Sequence, residues 1–121
     1  MTATPTTSFD PQTVRRATEE RDAEALLALY ADDAQIEVVD SEHQPSSPQI
    51  ARGKAEIGEL LRDVAGRDMT HRVEGLALDG DKLAFTVRCA YPDGTLVLCM
   101  ASAQIEDGKI VRQTNLQVWD A

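Results

Sequence analysis

Asp40 and His71 are the side chains of this sequence whose type and setting suit proton transfer. Asp40 ends a period-two run, Gln35 to Asp40, in which Ile36, Val38 and Asp40 share one face. A carboxylate held beside Val38 and other apolar side chains is desolvated, which raises its proton affinity toward that of a useful general acid or base. The alternative is that Asp40 opens the polar loop after the strand, as turn-forming aspartates do. His71 begins a strand in Thr70-His71-Arg72, where an imidazole could exchange protons near neutral pH or hydrogen-bond a ligand carbonyl. A strand histidine serves equally well as a satisfied edge or core residue. His43 lies in the polar loop and is the lesser candidate.

A second group of polar residues falls at strand spacing. Gln113, Asn115, Gln117 and Trp119 share one face of the last strand, and Arg112, Thr114, Leu116 and Val118 share the other. Three amides beside an indole make a neutral hydrogen-bonding wall suited to an oxygenated small molecule. If the apolar set faces inward instead, the amides lie on the outer surface. With the amides inward, Phe85, Val87 and Cys89 supply the apolar wall opposite, although any core would use such residues. Cys89 and Cys99 are the only cysteines, and they read as reduced, packed thiols. A hairpin centred on Gly94 would set them directly opposite each other as a redox-sensitive pair. The two histidines form no tight ligand spacing with the cysteines, and there is no Gly-rich phosphate loop or nucleophile elbow. The expectation is no metal and no cofactor.

The elements that must position these groups follow from periodicity. Residues 1–8 carry no apolar pattern and read as a loose tail, with one domain over residues 9–121. Asp10 and Pro11 start a first helix that runs to about Glu20, with Phe9 stapled onto Val14. A second helix starts at Asp22, and Ala25, Leu26, Leu29 and Tyr30 mark its buried face. The strand at Gln35–Asp40 follows, then a proline-broken loop from Ser41 to Arg52. Gly53 opens a third helix with the stripe Ile57, Leu60, Leu61, Val64, and Gly66 suits the left-handed position beyond its end. Asp79-Gly80, Asp93-Gly94 and Asp107-Gly108 punctuate four strands: Thr70 to Leu78, Lys82 to Tyr91, Thr95 to Ile105 and Lys109 to Trp119. Three helices before one meander predict an α+β fold, a curved antiparallel sheet packed by helices on a single face and forming a cone-shaped barrel with a hollow.

Charge narrows the partners. The net charge is −9, with no cluster of Lys and Arg to follow a phosphate backbone, so no nucleic acid is expected. The longest apolar runs, such as Leu96 to Ala101, fall far short of the ~20 residues that cross a bilayer. The Thr-rich start lacks a basic-then-apolar signal pattern, so a cytoplasmic protein away from membranes is expected. Along Leu96 to Ala101 both faces of the strand are apolar or small. One face meets the helices, and the cover expected for the other is a second copy, giving a homodimer through the outer sheet face.

The string Ala28-Leu29-Tyr30-Ala31-Asp32-Asp33-Ala34, followed by Gly53-Lys54-Ala55-Glu56-Ile57, resembles the nuclear-transport-factor-2-like superfamily, in its SnoaL-like and ketosteroid-isomerase-like branches. The resemblance covers about residues 10–119 and implies a pocket between sheet and helices, with Gln113 to Trp119 turned toward it. It also implies positions for the isomerase machinery: the catalytic aspartate at Val38, the phenol donor at Val14 and the protonated acid donor near Ala101. None of these three can do acid/base work, so isomerisation by that route is not expected. Two readings follow. One is a cofactor-free isomerase, cyclase or dehydratase using Asp40 and His71 on an oxygenated, polyketide- or steroid-like compound. The other is a non-catalytic ligand-binding or assembly module.

Overall fold

The computed structural model describes residues 8–120. The tail expected over residues 1–8 lies outside them apart from Ser8. Three helices, α1 (Pro11–Glu19), α2 (Ala23–Leu27) and α3 (Gly53–Gly66), accompany six strands. The strands are β1 (Tyr30–Val39), β2 (Gln49–Arg52), β3 (Thr70–Asp79), β4 (Lys82–Ala90), β5 (Leu96–Glu106) and β6 (Lys109–Trp119). They form a single sheet in the order β2-β1-β6-β5-β4-β3. The expected α+β class, curved sheet and three helices are all present. Among the described residues no helix is long and apolar enough to cross a membrane.

Local chemistry explains where the helices start. Asp10 accepts from the Gln12 N–H at 2.9 Å, Pro11 takes the first helical position, and Asp22 accepts from the Ala25 N–H at 3.0 Å. Helix α2 is shorter than its apolar spacing predicts. It ends at Leu27, and Tyr30 already belongs to β1, because the Leu29 carbonyl accepts from the Ile110 N–H at 2.9 Å. Tertiary pairing with β6 thus outweighs a weak local preference for one more helical turn. Gly66 closes α3 from within, and the chain leaves through Arg67 in an extended conformation rather than through a left-handed glycine.

The four C-terminal strands form the expected meander. Asp107 and Gly108 both take positive φ, 50° and 74°, as a two-residue type I′ turn between the paired Glu106 and Lys109 requires. The N-terminal half of the sheet differs from expectation. Residues 49–52, expected within a loop, pair antiparallel with β1, and β1 runs parallel to β6. Edge strand β2 was hidden because four residues after Pro45 and Pro48 carry too little alternation to stand out from a loop.

Curvature comes partly from a bulge in β3. Glu74 faces Thr86 and Ala77 faces Ala84, so two residues of β3 oppose Phe85 alone, with Gly75 at φ 61° as the bulged residue. The sheet does not close into a barrel, since β2 and β3 remain its edges. The helices shut the gap instead: α1 packs on β3, α3 on β1 and β2, and α2 bridges α1 and α3. Two apolar clusters fill the concave side. One gathers Tyr30, Ile36, Ile57, Leu83 and Ile110, and the other Met69, Val73, Val87, Cys89 and Val97.

Candidate functional site

Between those clusters lies a cavity of about 140 Å³, lined mainly by apolar side chains. An engineered core cavity of ~150 Å³ stays dry and accepts benzene, so this space suits a small ring compound. Its sheet wall is built from cross-strand rows. Val38, Asn115, Ala101 and Phe85 stand side by side on β1, β6, β5 and β4, and the next row holds Gln117, Cys99 and Val87. A third row runs Trp119, Val97, Cys89 and His71. Leu60, Leu61 and Val64 of α3 cover the hollow from the helix side.

The two orientations open for β6 are now resolved. Gln113, Asn115, Gln117 and Trp119 all line the cavity, whereas Leu116 and Val118 face outward at 49% and 68% exposure. Gln113 is the single buried polar residue among those described. Its Oε1 accepts from the Tyr30 hydroxyl at 2.7 Å, and its Nε2 donates to Asn115 Oδ1 at 2.9 Å. Phe85, Val87 and Cys89 also line the cavity.

Of the two residues expected to move protons, only His71 reaches this space. Its Nδ1 lies 3.1 Å from the Cys89 sulfur, directly across the β3–β4 ladder. An unprotonated ring nitrogen accepts better than a thiol sulfur, so the Cys89 thiol donates and the ring proton sits on Nε2. Burial lowers the His71 pKa, and the nearby Arg21 guanidinium lowers it further. Burial raises the Cys89 thiol and pushes Cys99 up to about 12, the latter also by proximity to Cys89. The pair is therefore a neutral imidazole and a neutral thiol, not an ion pair.

Asp40 corrects the expectation made for it, because it does not line the cavity. It sits just past the end of β1, and its Oδ1 accepts from the Glu42 N–H, the His43 N–H and the His43 ring Nδ1 at 2.9, 2.8 and 2.9 Å. Partial burial would raise its pKa, but these hydrogen bonds outweigh burial and lower it. The carboxylate ties the loop closed, which is the turn-forming alternative. Cys89 and Cys99 also differ from the opposed pair considered above. Cys89 faces Val97 and Cys99 faces Val87, because the hairpin is centred on Asp93 rather than on Gly94. Both are free thiols.

The sequence aligns with the SnoaL-like domain over residues 12–113. The chain belongs to the SnoaL-like family. No curated protein matches it. Among solved structures, an NTF2-like protein of unknown function from Mesorhizobium loti is 21% identical, with a TM-score of 0.75 over 88% of each chain. A proposed ketosteroid isomerase from Kribbella flavida is 21% identical, with a TM-score of 0.73 over 91% of this chain and 74% of that one. A computationally designed 17-OHP binder is 20% identical, with a TM-score of 0.64 over 91% and 93%. At these identities the likeness establishes the fold alone.

This SnoaL-like domain brings to its pocket several groups that sequence reasoning missed. Tyr30 read as part of a helix face, so its place in the cavity wall was not foreseen. Burial raises its pKa, only partly offset by the bond to Gln113. Arg21 and Arg67 border the cavity, but both guanidiniums are engaged. Arg21 Nη1 donates to the Arg67 and Met69 carbonyls at 2.8 and 3.2 Å, and Arg67 Nη2 donates to Asp63 at 2.7 Å. Arg21 holds φ 56°, a left-handed conformation uncommon for a side-chain-bearing residue, between α1 and α2. No periodicity or motif announces such a position.

Proposed function

We propose that this SnoaL-like domain binds a small, largely apolar, oxygenated molecule in the cavity between sheet and α3. The observation that carries the reading is the juxtaposition of an apolar chamber with one polar stripe, Gln113, Asn115, Gln117 and Trp119, turned into it. Burying amides on the concave side costs stability unless they are hydrogen-bonded or meet a polar ligand group. A core built for stability alone would place Val or Leu there. The designed 17-OHP binder is in keeping with this use of the fold.

The test is calorimetric titration with 1-indanone, a fused-ring ketone, against the wild type and Val87→Phe, which fills the chamber. Binding should weaken by about tenfold or more in a variant that still unfolds cooperatively. Equal binding by both proteins would remove the cavity from the account.

A catalytic reading survives on one observation, the neutral imidazole of His71 in the cavity wall. Without Asp40 in the pocket, the chemistry that remains is a single-base proton shuttle of the isomerase type, which requires the Cys89 thiol to release Nδ1, the one unprotonated ring nitrogen, to the substrate proton. It is read out by deuterium exchange at the α-carbon of bound 1-indanone in D₂O. Acceleration that disappears in His71→Ala assigns catalysis, and its absence leaves a binding module.

We also propose a homodimer through the outer sheet face. Leu96, Met100, Leu116 and Val118 are exposed there on two adjacent central strands, opposite the helix layer. A twofold stacking of two such sheets would cover the patch with its own copy.

A further inference from the structure

The pocket's polar stripe carries a direction. Tyr30 is buried, with 4% exposure, and among the described residues its hydroxyl has Gln113 as its hydrogen-bond partner. Gln113, 7% exposed, continues the chain to Asn115, which is half-buried on the cavity wall. Side-chain amides can turn end for end, so two relays are geometrically open. In one, the phenol donates to Gln113 Oε1, Gln113 Nε2 donates to Asn115 Oδ1, and the Asn115 NH₂ is left over. In the other, Asn115 donates to Gln113, Gln113 donates to the phenol oxygen, and the Asn115 carbonyl is left over.

The phenol decides between them. In the reversed relay the buried Tyr30 O–H would have no acceptor, which forfeits the full hydration of that donor with nothing in return. The forward relay satisfies it, and no buried side-chain polar atom among the described residues lacks a partner. Asn115 Nδ2 makes no hydrogen bond to the described residues, so an N–H donor is what this part of the wall offers to the chamber.

We propose that Tyr30 sets the hydrogen-bonding polarity of the pocket, so that Asn115 presents a donor and the ligand presents an acceptor oxygen such as a ketone carbonyl. Tyr30 acts here as a positioning residue, through Gln113. The inference rests on the cavity being a ligand pocket and adds which kind of polar group the ligand carries.

The experiment compares two probes of matched shape, 1-indanone, which only accepts, and indole, whose ring nitrogen only donates. Calorimetric or NMR-detected titration of the wild type should favour 1-indanone by about tenfold, the size of one well-made hydrogen bond. In Tyr30→Phe both amides are free to turn, and the preference should shrink to within about twofold of unity. A merely structural role for Tyr30 would weaken both probes alike and leave the preference intact. Asn115→Asp, which presents only acceptor oxygens, should reverse the order in favour of indole, and an unchanged order would overturn the assignment of Asn115 as the donor, whether or not Tyr30→Phe folds. Equal affinity of the two probes in the wild type, or an undiminished preference in Tyr30→Phe, would overturn the proposal while leaving the pocket standing. Failure of both probes to bind would overturn the pocket reading and this inference with it.

Discussion

Burial keeps His71 neutral, and that has a measurable consequence for stability. Its folded pKa lies below its unfolded value, through burial first and Arg21 second. As pH falls through the unfolded value of about 6.5, the unfolded chain takes up a proton that the native state resists. Stability is therefore complete above that pH and declines as pH drops toward the folded pKa. The urea midpoint should fall between about pH 7 and about pH 5.5, and fall less in His71→Gln. Equal declines in both proteins would mean that His71 is not the buried group responsible. Asp40 also has a lowered pKa, so its contribution disappears only at more acid pH, below the ordinary carboxylate range, and does not blur that window. The contrast between the two residues shows what single positions disclose. Period two correctly grouped Gln113, Asn115, Gln117 and Trp119 on one face of β6, because alternation is a rigid consequence of strand geometry, and the family resemblance turned that face inward. Alternation failed at Asp40, where the strand had already ended and a loop hydrogen-bond network took over.

At the scale of elements, the strongly periodic or punctuated segments were legible and the short ones were not. The Asp-Gly signals located the hairpins of the meander, and the Ile57, Leu60, Leu61, Val64 stripe located α3 and its cavity-facing side. Strand β2, the early start of β1 and the β3 bulge were hidden, because each is fixed by pairing with a distant segment rather than by local pattern. The two-sided apolar character of β5 was also legible, and it leads to the element-scale prediction. Met100 and Val118, 55% and 68% exposed on the outer face, should lie at the centre of a sheet-on-sheet dimer. Light scattering on the eluting wild-type protein should give a dimer mass, and Met100→Glu with Val118→Glu should give a monomer that retains its secondary structure. A monomeric wild type at micromolar concentration would remove the dimer.

For the whole molecule, the central claim is that an open, bent sheet and three helices enclose usable space rather than a filled core. That space is assembled from β1, β3, β4, β5, β6 and all three helices together, which is why composition and motifs alone could only imply it. A family resemblance supplied the hollow, and the absent isomerase residues at Val14, Val38 and Ala101 supplied the warning against borrowing its chemistry; all three are buried apolar positions here. The most direct measurement is a set of intermolecular nuclear Overhauser effects between 1-indanone and the methyl groups of the isotope-labelled protein. The expected result is cross-peaks to Val38, Leu61 and Val87 inside the cone. Cross-peaks confined to Leu116 and Val118 on the outer face, with none to the interior methyls, would contradict the claim.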